Sequence, residues 1–310
     1  MKFLQQALAL LGFLIVPAPS EAAGQAEQLP RMATNRAFPD LTADKEGKWT
    51  GPFFFIQMAD PQFGMMDPAL ERKNAETAVR HINRLKPRFA IVCGDLVDPP
   101  PGKEDREAKV AVFKSIFSKV DRAIPLICVP GNHDLGNTPD AAALESYRKD
   151  FGDDYFAFWA GGAKCLVINS TLYSDPSKSP KAQESQEEWF ARHLADARKE
   201  SPRHLFVFQH HSWFLKGPED RDGYFTIPQV RRKPALALMK EAGVRAVFAG
   251  RYHGNASGRD GELEMITTGP VGKPLRKDPS GLRIVQVYRA SIRHAYYGLD
   301  EVPDAIELKE

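Results

Sequence analysis

Five short clusters in the 310-residue chain combine residue types that hold metal ions or move protons. They are Met58-Ala59-Asp60-Pro61-Gln62, Gly94-Asp95-Leu96-Val97-Asp98, Gly131-Asn132-His133-Asp134, Gln209-His210-His211 and Gly250-Arg251-Tyr252-His253. Carboxylate and carboxamide oxygens together with imidazole nitrogens are the mixed donor set of divalent ions such as Mn, Fe or Zn. Each cluster alone says little, because a single Asp after a strand is ordinarily a turn residue or a helix cap. The chemistry becomes specific only if the fold brings the clusters together.

The elements in front of the clusters suggest that it does. Each cluster follows an apolar run of strand length, at residues 53–56, 89–93, 125–129, 204–208 and 246–249. Helical spacing of apolar residues predicts helices at 68–85, within 110–120, at 183–199 and at 228–242. Strand alternating with helix implies right-handed βαβ units and parallel strands, and ligands in such folds collect outside the carboxyl ends of the strands. After Gly131 the rhythm changes. Runs at 155–159 and 165–169 around Gly161-Gly162 predict a hairpin, and strands at 262–267, 282–288 and 292–297 close the chain. The expectation is an α/β fold in which two facing mixed β-sheets are flanked by helices, a four-layer αββα sandwich in a single domain over 50–310.

Composition narrows the function classes. A net charge of +2 with no long basic stripe gives no electrostatic footprint for nucleic acid. Met1-Lys2, an apolar run over 7–16 and small residues at Ser20, Ala22 and Ala23 read as a signal peptide over 1–23, hence export to a periplasm or the exterior. The run is short for a membrane span, although an uncleaved anchor is the other reading. Residues 24–49 read as a polar, extended lead-in, with order beginning at Phe53. Cys93, Cys128 and Cys165 sit inside apolar runs, which points to core packing rather than disulfides or metal binding.

The ordered series D-x-(H/Q), G-D-x-x-D, G-N-H-D, H and G-x-x-H resembles the calcineurin-like metallophosphoesterases, and the resemblance spans residues 53–297. It is closest to the branch of calcineurin-like phosphoesterase domain-containing serine/threonine phosphatases, whose first motif also reads A-D-P-Q-F-G, as at 59–64. Matching segments continue at 121–125 (DRAIP), 131–139 (GNHDLGNTP), 152–156 (GDDYF), Asp278-Pro279 and Gly281-Leu282-Arg283. The resemblance implies metal-dependent hydrolysis of phosphoric esters, with a phosphoprotein or a small phosphoester as substrate. It would place Asp60, Gln62, Asp95 and His253 on a first divalent ion. Asp95, Asn132 and His210 would hold a second, with Asp95 as the bridge. Such chemistry needs a nucleophile at neutral pH, and two ions about 3.5–4 Å apart supply one by holding a bridging water as hydroxide. His133, directly after Asn132, would then protonate the leaving oxygen. Asp98 would pair with His133; its other role would be to support the first ion, since Gln62 is a neutral ligand.

One position departs from the family pattern. The last motif is G-H-x-H in the family, and its first histidine, a ligand of the second ion, is Arg251 here. Arginine stays protonated and cannot coordinate a cation. Three readings follow: His211 or water fills the gap and two ions remain; Arg251 binds substrate phosphate beside one ion; or catalysis is impaired and the domain binds phosphorylated ligands. Neighbours on a strand point to opposite faces, so His210 and His211 both serve as ligands only if the loop bends. His81, His193, His204 and His294 read as structural or exposed, and the sequons at Asn169 and Asn255 as structural. Lys273, Arg276 and Arg283 read as solvated charges that could meet an anionic substrate.

Overall fold

The computed structural model describes residues 28–309, so the signal-peptide reading falls outside the described residues. The elements run α1 (Ala43–Glu46), β1 (Phe53–Met58), α2 (Pro68–Leu85), β2 (Ala90–Cys93), α3 (Arg106–Phe117) and β3 (Leu126–Val129). Next come α4 (Asn132–Leu135), α5 (Ala141–Phe151), β4 (Phe156–Ala160), β5 (Ala163–Val167), α6 (Ser170–Ser174) and α7 (Pro180–Glu200). The chain ends in β6 (His204–Phe208), α8 (Gln229–Ala242), β7 (Ala246–Ala249), β8 (Ala256–Asp260), β9 (Leu263–Thr267), β10 (Gly281–Val287) and β11 (Ile292–Gly298).

Two mixed sheets form, in the orders β11-β10-β1-β2-β3 and β4-β5-β6-β7-β9-β8. Strands β1, β2 and β3 are parallel, as are β5, β6, β7 and β9. Antiparallel strands occupy the remaining positions. Side chains alternate between two buried faces, which explains the continuous apolar runs. In β1, Phe53 and Phe55 point between the sheets, whereas Ile56 and Met58 face the layer of α2 and α3. In β6, Phe206 and Phe208 fill the middle core, whereas Leu205 and Val207 face α7 and α8. The inter-sheet core is aromatic: Phe55 stacks on Phe89 at 4.6 Å and meets Phe248 edge-on at 5.3 Å. The four layers expected from the sequence are therefore present.

Local signals explain several boundaries. Asp67 caps α2 by accepting from the Leu70 amide at 3.2 Å, Pro68 takes the first helical turn, and Lys86 closes the helix in a left-handed conformation. Between β4 and β5 the Gly161-Gly162 turn, with φ of 55° and 86°, pairs Ala160 with Ala163.

The order expected to begin at Phe53 begins earlier. Leu29, Ala33, Phe38 and Leu41 are buried against the body of the fold. Arg36 bonds Asp154 at 2.8 Å, and the Glu46 carboxylate accepts from Arg88 at 2.5 Å. Four apolar residues scattered through a polar segment carry no periodicity, so only their tertiary contacts reveal them. The sequence reading also lacked α5 and the exposed edge strand β8. No helix among the described residues is long and apolar enough to cross a membrane.

Candidate metal and phosphoester site

The two sheets deliver the five clusters to one edge. Asp60 follows β1, Asp95 follows β2, Asn132 opens α4 after β3, His210 follows β6 and His253 follows β7. The Asp60 amide donates to the Gly94 carbonyl at 3.1 Å, and the Gln62 amide to that of Asp95 at 2.9 Å. Asp60, Gln62, Asp95, Arg251 and His253 all have positive φ, between 47° and 69°. A left-handed residue other than glycine costs roughly 1–2 kcal/mol, so strain is concentrated where the candidate ligands lie. Gly131 and Gly94 permit the close packing. A Cβ on Gly131 would lie 2.2 Å from Asp95 Oδ1, and one on Gly94 2.3 Å from His210 Nδ1.

Asp60, Asp95 and His253 are buried, and their ligand atoms lie within 4.8 Å of one another. The donor set suits a divalent cation, and two further features fit one. Among the described residues, Gln62 Oε1 and His253 Nδ1 are buried without a hydrogen-bond partner, a costly state for polar atoms that coordinate nothing. Two buried carboxylates side by side also call for positive charge. Burial raises the pKa of Asp60 despite His253 and His210; at Asp95 burial is outweighed by His210, and the pKa falls. His210 Nδ1 is 2.9 Å from the Cys93 carbonyl, so that nitrogen donates. Its Nε2 is thereby turned toward Asn132 Oδ1 at 3.1 Å and Asp95 Oδ2 at 3.2 Å.

Arg251 is buried, and its Nη1 donates to Asn132 Oδ1, the same oxygen that His210 approaches. Its Nε and Nη2 reach the Tyr224 carbonyl at 3.4 and 3.3 Å, and its guanidinium lies 4.1 Å from the centre of the Tyr224 ring. His211 is not part of the converging triad Asp60, Asp95 and His253; its Nδ1 lies 3.1 Å from Ser170 Oγ. The Arg251 guanidinium lies directly against the candidate ligand Asn132.

His133 lies beside the carboxylates, its amide donating to Asp95 Oδ1 at 2.9 Å and its Nδ1 bonded to Asp98 Oδ1. Burial alone would lower its pKa, but Asp98 and Asp95 raise it to about 9. The neighbouring carboxylates thus favour the protonated imidazole. Behind it, the fully buried Asp134 accepts from the amides of Leu96, Val97 and Gly131, tying two clusters together.

A family model described as calcineurin-like phosphoesterase matches residues 55–253. The chain belongs to this family. It is 42% identical over 299 residues to the Homo sapiens Serine/threonine-protein phosphatase CPPED1, covering 91% of this chain and 95% of that protein. Among solved structures, GAP50, the anchor in the inner membrane complex of Plasmodium, aligns with a TM-score of 0.59 at 16% identity, over 81% of this chain and 85% of that one. A dimetal phosphatase from Danio rerio aligns with a TM-score of 0.55 at 16% identity, over 79% and 99%. These two likenesses speak to the fold. As a calcineurin-like phosphoesterase, the chain is a metal-dependent hydrolase of phosphoric esters.

Sequence reasoning gave no role to three residues that build this phosphoesterase site. Asp134 was legible in the G-N-H-D motif but assigned to nothing. Tyr224 lies in a polar loop with no motif. Arg232, fully buried in α8, pins that loop by donating to the carbonyls of Pro218, Asp220 and Ile227 at 2.6–3.1 Å. Nothing in a helical arginine signals such a clamp. The sequon residue Asn169 is buried, its carboxamide capping α6, and Arg283 is buried against Thr268 and Asn255.

Proposed function

We propose that the chain dephosphorylates phosphoserine and phosphothreonine in proteins, using one divalent cation held by Asp60, Gln62, Asp95 and His253. The observation that carries this reading is the convergence of the buried Asp60, Asp95 and His253 beside His133, whose ring is bonded to Asp98. When bound, the cation supplies Lewis-acid polarisation of the phosphoryl group and brings the pKa of water toward neutrality. Arg251, rather than a second cation, then faces the phosphate next to Asn132 and His210; a planar guanidinium matches phosphate oxygens in bidentate fashion. Asn132 orients the same phosphate. With Nδ1 engaged by Asp98, His133 donates from its other nitrogen to the departing serine or threonine oxygen. The substrate class is supported by the name of the human relative, and an ion of the Mn, Fe or Zn group by the mixed oxygen and imidazole donors.

The test is turnover of a phosphoserine peptide by purified protein. Activity abolished by a chelator, restored by added Mn²⁺ and lost in His133→Ala is the expected result. Tight phosphate binding with no turnover would leave a binding module instead. We also propose export, which rests on the residue pattern of 1–23 alone; a processed protein whose sequence starts near Gly24 supports it, and one starting at Met1 does not.

A further inference from the structure

The Tyr224 side of the site continues outward as a row of three aromatic rings, packed edge-on, with a guanidinium at each end. Tyr224, 63% exposed, meets Phe225 edge-on at 5.1 Å, and Phe225 meets Tyr252 at 5.3 Å. Arg276 completes the row, its guanidinium 3.8 Å from the centre of the Tyr252 ring and 5.0 Å from that of Phe225. Tyr252 stands between Arg251 and His253, so the outer arginine is attached to the backbone of the site itself. The Arg276 Nε donates to the Tyr252 carbonyl at 2.6 Å. Its two Nη nitrogens have no partner among the described residues. The nearby carboxylate of Asp278 is engaged elsewhere, accepting from the Asn255 amide at 2.6 Å.

An exposed arginine usually samples many rotamers and recognises nothing. Here the stem is fixed by one hydrogen bond, the plane by two rings, and the outer fork of four N–H donors faces solvent. Stacking of this kind lowers the entropy lost when an anion binds, and a guanidinium matches pairs of oxygens on either a carboxylate or a phosphate. We propose that Arg276 is a second anion-recognition point, which selects phosphopeptides carrying an acidic residue or a second phosphate near the residue to be dephosphorylated. The proposal rests on the phosphoprotein reading of the site and names a preference within it.

The experiment compares three peptides with a non-hydrolysable phosphonate in place of phosphoserine, flanked two positions away on both sides by Ala, Glu or phosphoserine. An extended peptide advances about 3.3 Å per residue, so these positions reach beyond the catalytic centre. Binding to the metal-loaded protein is read by fluorescence anisotropy at fixed moderate salt. The Glu or phosphoserine peptide, or both, should bind about three- to tenfold more tightly than the Ala peptide. Whichever gains identifies the anion as carboxylate or phosphate. That advantage should vanish in Arg276→Ala and return in part in Arg276→Lys, which keeps charge but loses the stacked plane. Equal affinities for all three peptides in the unmodified protein would overturn the proposal, as would an advantage that survives in Arg276→Ala. Turnover of the Ala-flanked phosphoserine peptide tests the phosphatase reading separately, and the binding result decides this inference with or without it.

Discussion

Asp98→Asn keeps the shape of the Asp98 side chain while removing the charge that holds His133, so it isolates proton donation from architecture. The His133 and Asp98 side chains are 30% and 22% exposed. A charge-assisted hydrogen bond of this partial burial is worth about 1–3 kcal/mol once solvent screening is allowed for. Its loss translates to a rate decrease of about 5- to 150-fold where donation matters. Donation matters for phosphoserine, which expels a strongly basic alkoxide, and little for p-nitrophenyl phosphate, whose phenolate departs unaided. In steady-state assays with saturating metal, kcat/KM for a phosphoserine peptide should fall by that factor, and for the aryl ester by less than about threefold. His133→Gln should enlarge the alkyl-ester loss to about 10²–10⁴-fold, the usual contribution of a general acid. Elemental analysis of each variant guards against a lost ion imitating a lost proton. Equal losses on both esters would refute the reasoning and place His133 and Asp98 on the phosphate or the cation instead.

Further outcomes follow from other contacts. Arg251→His removes the guanidinium bonded to Asn132 and adds an imidazole, so dialysed protein should hold about one more divalent ion per chain by elemental analysis; unchanged stoichiometry counts against competition at that position. Arg232→Met leaves the carbonyls of Pro218, Asp220 and Ile227 without their donor. It should cost about 2–4 kcal/mol in urea unfolding and raise KM as Tyr224 loosens; an unchanged KM would detach the loop from substrate binding. Asp154 is buried, and its pKa is lowered because Arg148 and Arg36 outweigh burial. A depressed carboxylate stabilises the fold above the unfolded-state pKa of about 4, and the contribution is lost as pH falls through the folded value. Urea midpoints of the unmodified protein should therefore decline below about pH 4 more steeply than those of Asp154→Asn, and parallel curves would contradict this.

What the sequence determined by itself was whatever is written in local spacing. The run at 53–56 reads as a doubly covered strand because its four consecutive residues, and so both of its faces, are apolar, and α2 is legible from cap to cap because Asp67-Pro68 and the apolar period both mark it. The site clusters were legible because each is a contiguous motif at a strand end, where an α/β topology must gather ligands. Tertiary structure alone decided how the gathered residues divide the space. Arg251 is a substitution in the sequence; only the fold shows that it reaches Asn132 and Tyr224, whose loop is pinned by Arg232 of α8, and that His211 Nδ1 lies against Ser170. The segment before Phe53 joined the core in the same way, through Phe38 and Leu41 and the Arg36–Asp154 pair. Contacts of this kind, between residues 12 to 119 positions apart, leave no period or motif in the chain, because their energy comes from surfaces that exist only once the sheets have formed.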